Sequence, residues 1–249
     1  NFKTMKEKFK LRHLDILLDE ENKDIAILMV DILGYKNSIF GKTKFFVKSF
    51  KKIKVITNEL ADMDFENIPV NKNSHIKKPN TINEIPYLAM LNLRGLVESK
   101  SELSISNYMA RVIAISTYSE NRTSLYKPDS KSFNHYVDSL MNTNMFDMLA
   151  LYNWILKDIK KTSKEWDEQF MSVEVKDNYL ENAGGAGLNQ FNVINTIKGI
   201  CEDFNVSDEE AMYKSYNLVM TNNYSKAYSG FVQDNIRIKK EAEYIAKQK

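Results

Sequence analysis

The stretch Ser130-Lys131-Ser132-Phe133-Asn134-His135-Tyr136-Val137-Asp138-Ser139-Leu140-Met141 sets apolar side chains at Phe133, Tyr136, Val137, Leu140 and Met141. These are positions i, i+3, i+4, i+7 and i+8, one face of a helix with 3.6 residues per turn. Residues 130–142 are therefore read as an amphipathic helix. Lys127-Pro128-Asp129-Ser130 breaks the chain just before it. If its neighbours share this periodicity, the fold is built from packed helices.

They do on both sides. Downstream, residues 144–171 pass through Met145, Phe146, Met148, Leu149, Leu151, Tyr152, Ile155, Leu156, Ile159, Trp166, Phe170 and Met171. The run is apolar nearly all round at its start and amphipathic later, so its first half is expected to be the most buried helix. Asn182-Ala183-Gly184-Gly185-Ala186-Gly187 interrupts the pattern, and Phe191, Ile194, Ile197, Ile200 and Phe204 resume it. Ser207 and Glu210 have the spacing of a capping box, while Asp208 and Glu209 suit the positive end of the helix that follows. A lysine-rich last helix is expected over about 225–247. Upstream, Ile105, Tyr108, Met109, Val112, Ile113 and Ile115 form one stripe over 104–118. Thr81 and Glu84 form a further capping-box pair. It opens a helix through Tyr87, Leu88, Leu91 and Leu96, with Pro86 disturbing the first turn.

Residues 62–80 turn polar, with Pro69, Pro79 and Asn71-Lys72-Asn73-Ser74, and read as a linker. Before it, Phe9, Leu14, Ile16, Leu17 and Leu18 predict a helix over 4–20. Residues 25–33 are an almost uniformly apolar run, broken by Asp31, that fits a buried helix or a buried strand equally. Phe45-Phe46-Val47 and Ile53-Lys54-Val55-Ile56 are β-rich and pair on paper as a short hairpin. The expected fold is mainly α. A smaller basic N-terminal segment, 1–61, contains the short β-hairpin; a linker, 62–80, joins it to a helical domain, 81–249.

Composition supports that choice. Only 8 Gly and 4 Pro punctuate 249 residues, which favours long helices over a many-stranded or glycine-rich cofactor fold. One cysteine, Cys201, forms no internal disulfide, and no Cys/His cluster has zinc-ligand spacing, so the core must rest on packing. No apolar run approaches the ~20 residues that span a bilayer. The 30 Lys against 5 Arg, with 26 Asn, are the bias that AT-rich codons produce.

Net charge is only +2 but unevenly spread: residues 1–80 carry 16 basic and 11 acidic groups, residues 141–211 carry 6 and 13. Lys36, Lys42, Lys44, Lys48, Lys51, Lys52 and Lys54 follow one another with no acid between them. Such a run is a candidate basic interaction surface for phosphates, and DNA is one partner it suits. It equally suits a solvated face or a surface that docks on the acidic half of a neighbouring copy.

Catalytic and cofactor patterns are weaker than their structural alternatives. Gly41-Lys42-Thr43 resembles the end of a phosphate-binding loop, but the required first glycine position holds Lys36. Gly184-Gly185 with Gly187 lacks dinucleotide-loop spacing and reads as a hinge or loop. His13, His75 and His135 are far apart in sequence and read as surface or packed histidines. Cys201 reads as a buried inert thiol. Glu165/Asp167/Glu168 and Asp203/Asp208/Glu209 read as solvated helix faces and a dipole partner. The series Tyr213, Tyr216, Tyr224, Tyr228 and Tyr244 suits helix packing and also protein interfaces. No catalytic residue, cofactor site or metal site is assigned.

Thr81-Ile82-Asn83-Glu84-Ile85-Pro86-Tyr87-Leu88-Ala89-Met90-Leu91-Asn92-Leu93 is followed by Phe146-Asp147-Met148-Leu149-Ala150-Leu151-Tyr152-Asn153-Trp154-Ile155-Leu156, then by Gln190-Phe191-Asn192 and Ser207-Asp208-Glu209-Glu210-Ala211. Over 81–223 this order resembles the small helical tail-assembly and virion proteins of bacteriophages. There, a Thr- or Ser-opened helix leads to an apolar helix, a polar loop and a helix pair begun by a Ser/Asp-Glu-Glu cap. The resemblance implies a non-enzymatic structural or assembly role through protein–protein contacts, in homo- or hetero-oligomers with other virion or assembly proteins. It implies a location in the virion or host cytoplasm, with no membrane partner and no cofactor. The alternative from another class is an accessory nucleic-acid-binding protein that uses residues 36–54.

Overall fold

A computed structural model describes residues 8–18, 68–71, 74–99, 102–173 and 192–248. These residues are mainly helical, with no β-strand among them. The helices are α1 (Leu14–Leu18), α2 (Tyr87–Glu98), α3 (Ile105–Asn121), α4 (Lys131–Met141), α5 (Met145–Met171), α6 (Asn192–Phe204), α7 (Asp208–Met212) and α8 (Tyr216–Gln248). Short 3₁₀ turns precede α1 at Leu11–His13 and α2 at Ile82–Glu84. The expected hairpin of 45–47 and 53–56, the apolar run 25–33 and the loop 182–187 lie outside the described residues.

The chain divides into two compact units, one of residues 1–79 and 92–157, the other of 80–91 and 158–249. The division falls inside α2 and α5.

The first unit is organised around α3. Its ten buried residues include the unbroken run Val112 to Tyr118. Among the described helices that makes α3, and not the first half of α5, the most enclosed. Ser116 and Thr117 look polar in the sequence, yet their hydroxyls donate back to the Val112 and Ile113 carbonyls at 2.9 and 2.8 Å, so they enter the core satisfied. The Thr117 hydroxyl also meets the Tyr136 hydroxyl at 3.0 Å. Helix α4 follows its template: Phe133, Tyr136, Val137 and Leu140 are all buried, and Ser130 caps it by accepting from the Phe133 amide at 3.2 Å. Tyr118, Tyr126, Phe133 and Tyr136 form an aromatic cluster with ring centres 5.3–6.0 Å apart.

The expected helix over 4–20 is shorter at its start. Lys10 is extended because the Leu11 amide donates to the Thr143 carbonyl at 3.0 Å and the Met145 amide to the Phe9 carbonyl at 2.8 Å. Among the described residues, backbone pairing with another segment therefore takes the place of helix at 8–10. Asp15 on α1 accepts from the Ser106 amide at 2.8 Å and from its hydroxyl, placing a carboxylate at the positive end of α3. Further along, Asn121 clasps Lys77: the Lys77 amide donates to Asn121 Oδ1 at 2.9 Å and Asn121 Nδ2 donates to the Lys77 carbonyl at 2.6 Å.

In the second unit, the Thr81/Glu84 pair opens a 3₁₀ turn and not α2 itself. Thr81 Oγ1 accepts from the Asn83 amide at 3.3 Å, while Glu84 reaches back to the Asn80 amide at 3.2 Å. Ile85 is extended, as the residue before a proline prefers to be, and α2 starts only after Pro86. The extended piece pairs with the chain ahead of α8, Tyr87 donating to the Lys214 carbonyl and Tyr216 to the Ile85 carbonyl, both at 2.8 Å. Tyr87 and Tyr216 then stack with ring planes 9° apart. Helix α6 ends in Asn205, whose φ of 49° is left-handed, and the Val206 amide donates to the Cys201 carbonyl at 3.2 Å. The Ser207/Glu210 box forms as expected. Helix α8 begins at Tyr216, earlier than the expected 225, because Tyr216 and Val219 are buried and Ser215 accepts from the Leu218 amide at 3.3 Å.

Candidate functional site

The seven lysines between 36 and 54, like Gly41-Lys42-Thr43 and Gly184 to Gly187, lie outside the described residues. The other titratable candidates are placed. His13 is buried, its Nδ1 accepting from the Lys10 amide at 3.0 Å, whereas His75 and His135 are exposed. Cys201 is half-buried and its Sγ donates to Asp208 at 3.2 Å. Desolvation, then the Asp208 carboxylate, pushes this thiol up, which keeps it protonated and poorly nucleophilic. Tyr152 in the first unit sits edge-on to Tyr108, and burial with that neighbour pushes its hydroxyl up to about 12. It too holds its proton at neutral pH. Glu165, Asp167 and Glu168 are exposed; Glu165 and Glu168 pair with Lys161 and Lys164 one turn earlier at 3.8 and 3.6 Å. Among the described residues no group of three His, Cys, Asp or Glu side chains is placed to hold a metal ion, and no helix is long and apolar enough to cross a membrane.

Asp203 has a defined job. It accepts from Lys226 at 2.7 Å and Asn222 at 2.6 Å, fastening α6 to α8. Those two donors hold its carboxyl below the usual 3.8. A depressed folded value means a stabilisation present above the unfolded value and lost as pH falls through the folded one. Asp203→Asn is therefore expected to lower the Tm near neutral pH, and in parallel melts the gap to the parent should close as the pH is brought down through the depressed carboxyl value.

The feature without an occupation is apolar. Helix α8 spans 33 residues, about 50 Å. Its N-terminal part is packed through Tyr216 and Val219, and Tyr224 meets Phe170, itself against Trp166, while among the described rings Tyr228 touches only those of Tyr224 and Phe231 on α8, with ring centres 5.9–6.4 Å apart. Beside this ladder an open groove of about 400 Å³ is lined by Asp167, Phe170, Met171, Val173 and Ala227. Beyond Asp234 every described residue to Lys247 is exposed. Ile236, Ile238, Tyr244 and Ile245 are 48, 53, 65 and 56% exposed, and Val232 is also exposed.

Two of them, Ile238 and Ile245, belong to a regular series. Tyr224, Tyr228, Phe231, Asn235, Ile238, Ala242 and Ile245 alternate spacings of four and three, the period of a coiled-coil seam. Sequence reading caught the tyrosines and the helix but missed this spacing, because Lys239, Lys240, Glu241 and Glu243 break up the apolar text. Counting every 3.5 residues from Tyr224 finds it. No protein-family model, no curated protein and no solved structure matches the chain.

Proposed function

We propose that this chain is a non-catalytic assembly protein that acts through protein–protein contacts, in a bacteriophage particle or during its construction in the host cytoplasm. The observation that carries the contact role is the exposed apolar series on α8 from Tyr228 to Ile245. Aliphatic and aromatic side chains left in water along one helix gain free energy when another surface covers them. The phage setting rests on the order of elements over 81–223. The basic segment would offer Lys36 to Lys54 to an acidic surface of a neighbouring subunit.

A second reading, accessory nucleic-acid binding, draws on the same lysine run, and one experiment separates the two. Light scattering of the full chain, with and without duplex DNA at ~50 and ~200 mM salt, spans the range over which phosphate contacts lose most of their affinity. The expected result is a defined oligomer that is indifferent to DNA. A monomer that joins DNA only at low salt would replace the assembly reading with the nucleic-acid one.

A further inference from the structure

We infer that the distal half of α8 pairs with the same helix of a second copy of this chain, in a parallel two-stranded coiled coil running from Tyr228 to Ile245. This deepens the assembly reading and rests on it. In heptad notation Tyr228, Asn235 and Ala242 fall at a, and Tyr224, Phe231, Ile238 and Ile245 at d. Tyr224 is partly engaged with Phe170 in its own unit, so the free seam starts at Tyr228. From there each a and d side chain is exposed or half-exposed, available to enter a hole on a partner helix.

Two features choose the partner and its direction. Asn235 is a polar residue at a central a position, where two copies in register hydrogen-bond each other and a shifted pair strands an amide against apolar groups. Register and strand number are thereby specified at some expense of stability. The flanking charges choose direction. Asp234 and Glu241 fall at g, Lys239 at e. In a parallel pair g faces the e position five residues on in the partner, setting Asp234 against Lys239 of the second copy. In an antiparallel pair g faces g, which sets carboxylates together. Within one chain Asp234 meets Arg237 at 3.2 Å, an exposed pairing that leaves the carboxylate reachable. Ile236 and Tyr244 lie at b and c, off the seam.

The test uses the full 249-residue chain. Sedimentation between ~1 and ~100 µM should show the mass passing from one chain to two, the range in which a short seam of micromolar affinity dissociates. Ile238→Asp with Ile245→Asp should abolish the dimer, with the melting and far-UV spectrum of the rest unchanged because both residues are exposed. Asn235→Val should tighten association and admit species larger than two chains. With Cys201→Ser as background, Ile245→Cys should link two chains under air oxidation, since d faces d only when the strands are parallel.

An oligomer that survives the two aspartates and does not cross-link through position 245 overturns the coiled coil and leaves the assembly reading standing. A dimer dissolved by the aspartates but not cross-linked overturns the parallel direction. A chain that stays monomeric at ~100 µM overturns the pairing of two copies, and the stripe is then left for a different protein, as the assembly reading also allows.

Discussion

Tyr118→Ala is expected to destabilise the first unit by about 3–5 kcal/mol, the usual cost of truncating a fully buried aromatic residue. Tyr118 is 0% exposed and its ring meets Tyr126, Phe133 and Tyr136 at once, so truncation empties the centre of the cluster. These rings come from α3, α4 and the loop between them, and none collapses inward without leaving its own partners. The hydroxyl contributes separately, bonding Ser124 at 2.8 Å and Ser132 at 2.7 Å. Both serines are exposed, so Tyr118→Phe leaves them to water and should cost only about 0.5–1.5 kcal/mol. The chain's two tryptophans allow a clean readout: Trp154 belongs to the first unit, Trp166 to the second. In a Trp166→Phe background, urea unfolding followed by Trp154 fluorescence should shift its midpoint down by more than about 1 M for the alanine variant. A shift equal to that of Tyr118→Phe would mean that the ring cluster contributes little.

What the sequence reveals about this fold, and what it hides, follows one physical rule. Elements whose burial shows in their apolar spacing are legible, as Phe133, Tyr136, Val137 and Leu140 show for α4. Elements shaped by long-range partners are not. Lys10 is extended because of Thr143 and Met145, residues more than a hundred positions away. Ser116 and Thr117 disguise the most buried helix because their hydroxyls are satisfied internally. The start of α8 is hidden behind Asn217, Thr221, Asn222 and Asn223, weak helix formers that the buried Tyr216 and Val219 override. For the interface, the tyrosines are legible singly, and the seam emerges when residues are counted at alternating spacings of four and three. The lysine surface at 36–54 is a sequence reading alone.

Asp158→Ala is expected to cost the second unit about 2–4 kcal/mol, because one carboxylate there organises a turn that no local propensity would hold. Asp158 Oδ2 accepts from the Ile82 amide at 2.7 Å and from Thr81 Oγ1 at 3.0 Å. The Thr81 hydroxyl, having given its proton, offers a lone pair to the Asn83 amide at 3.3 Å. Asn83 in turn accepts from Trp166 Nε1 at 3.0 Å, one face of α5 thus gripping the turn at Asp158 and Trp166. Ile82 is 0% exposed, so its amide has no ready water to replace the lost oxygen. Hydrogen bonds to a charged acceptor are worth about 1.5–3 kcal/mol, so Asp158→Asn, which keeps one neutral carbonyl acceptor, should fall roughly midway. The turn also fixes Ile85 and Pro86 for pairing with Lys214 to Tyr216, where α8 begins. Loss of Asp158 should therefore loosen the root of α8 while leaving its distal seam intact. In a Trp154→Phe background, Trp166 should report an earlier transition, and sedimentation under native conditions should still show the dimer. If Asp158→Ala melts like the parent, the turn is held instead by the buried Ile82 and Ile85 side chains, and hydrophobic packing rather than the carboxylate sets the start of α2.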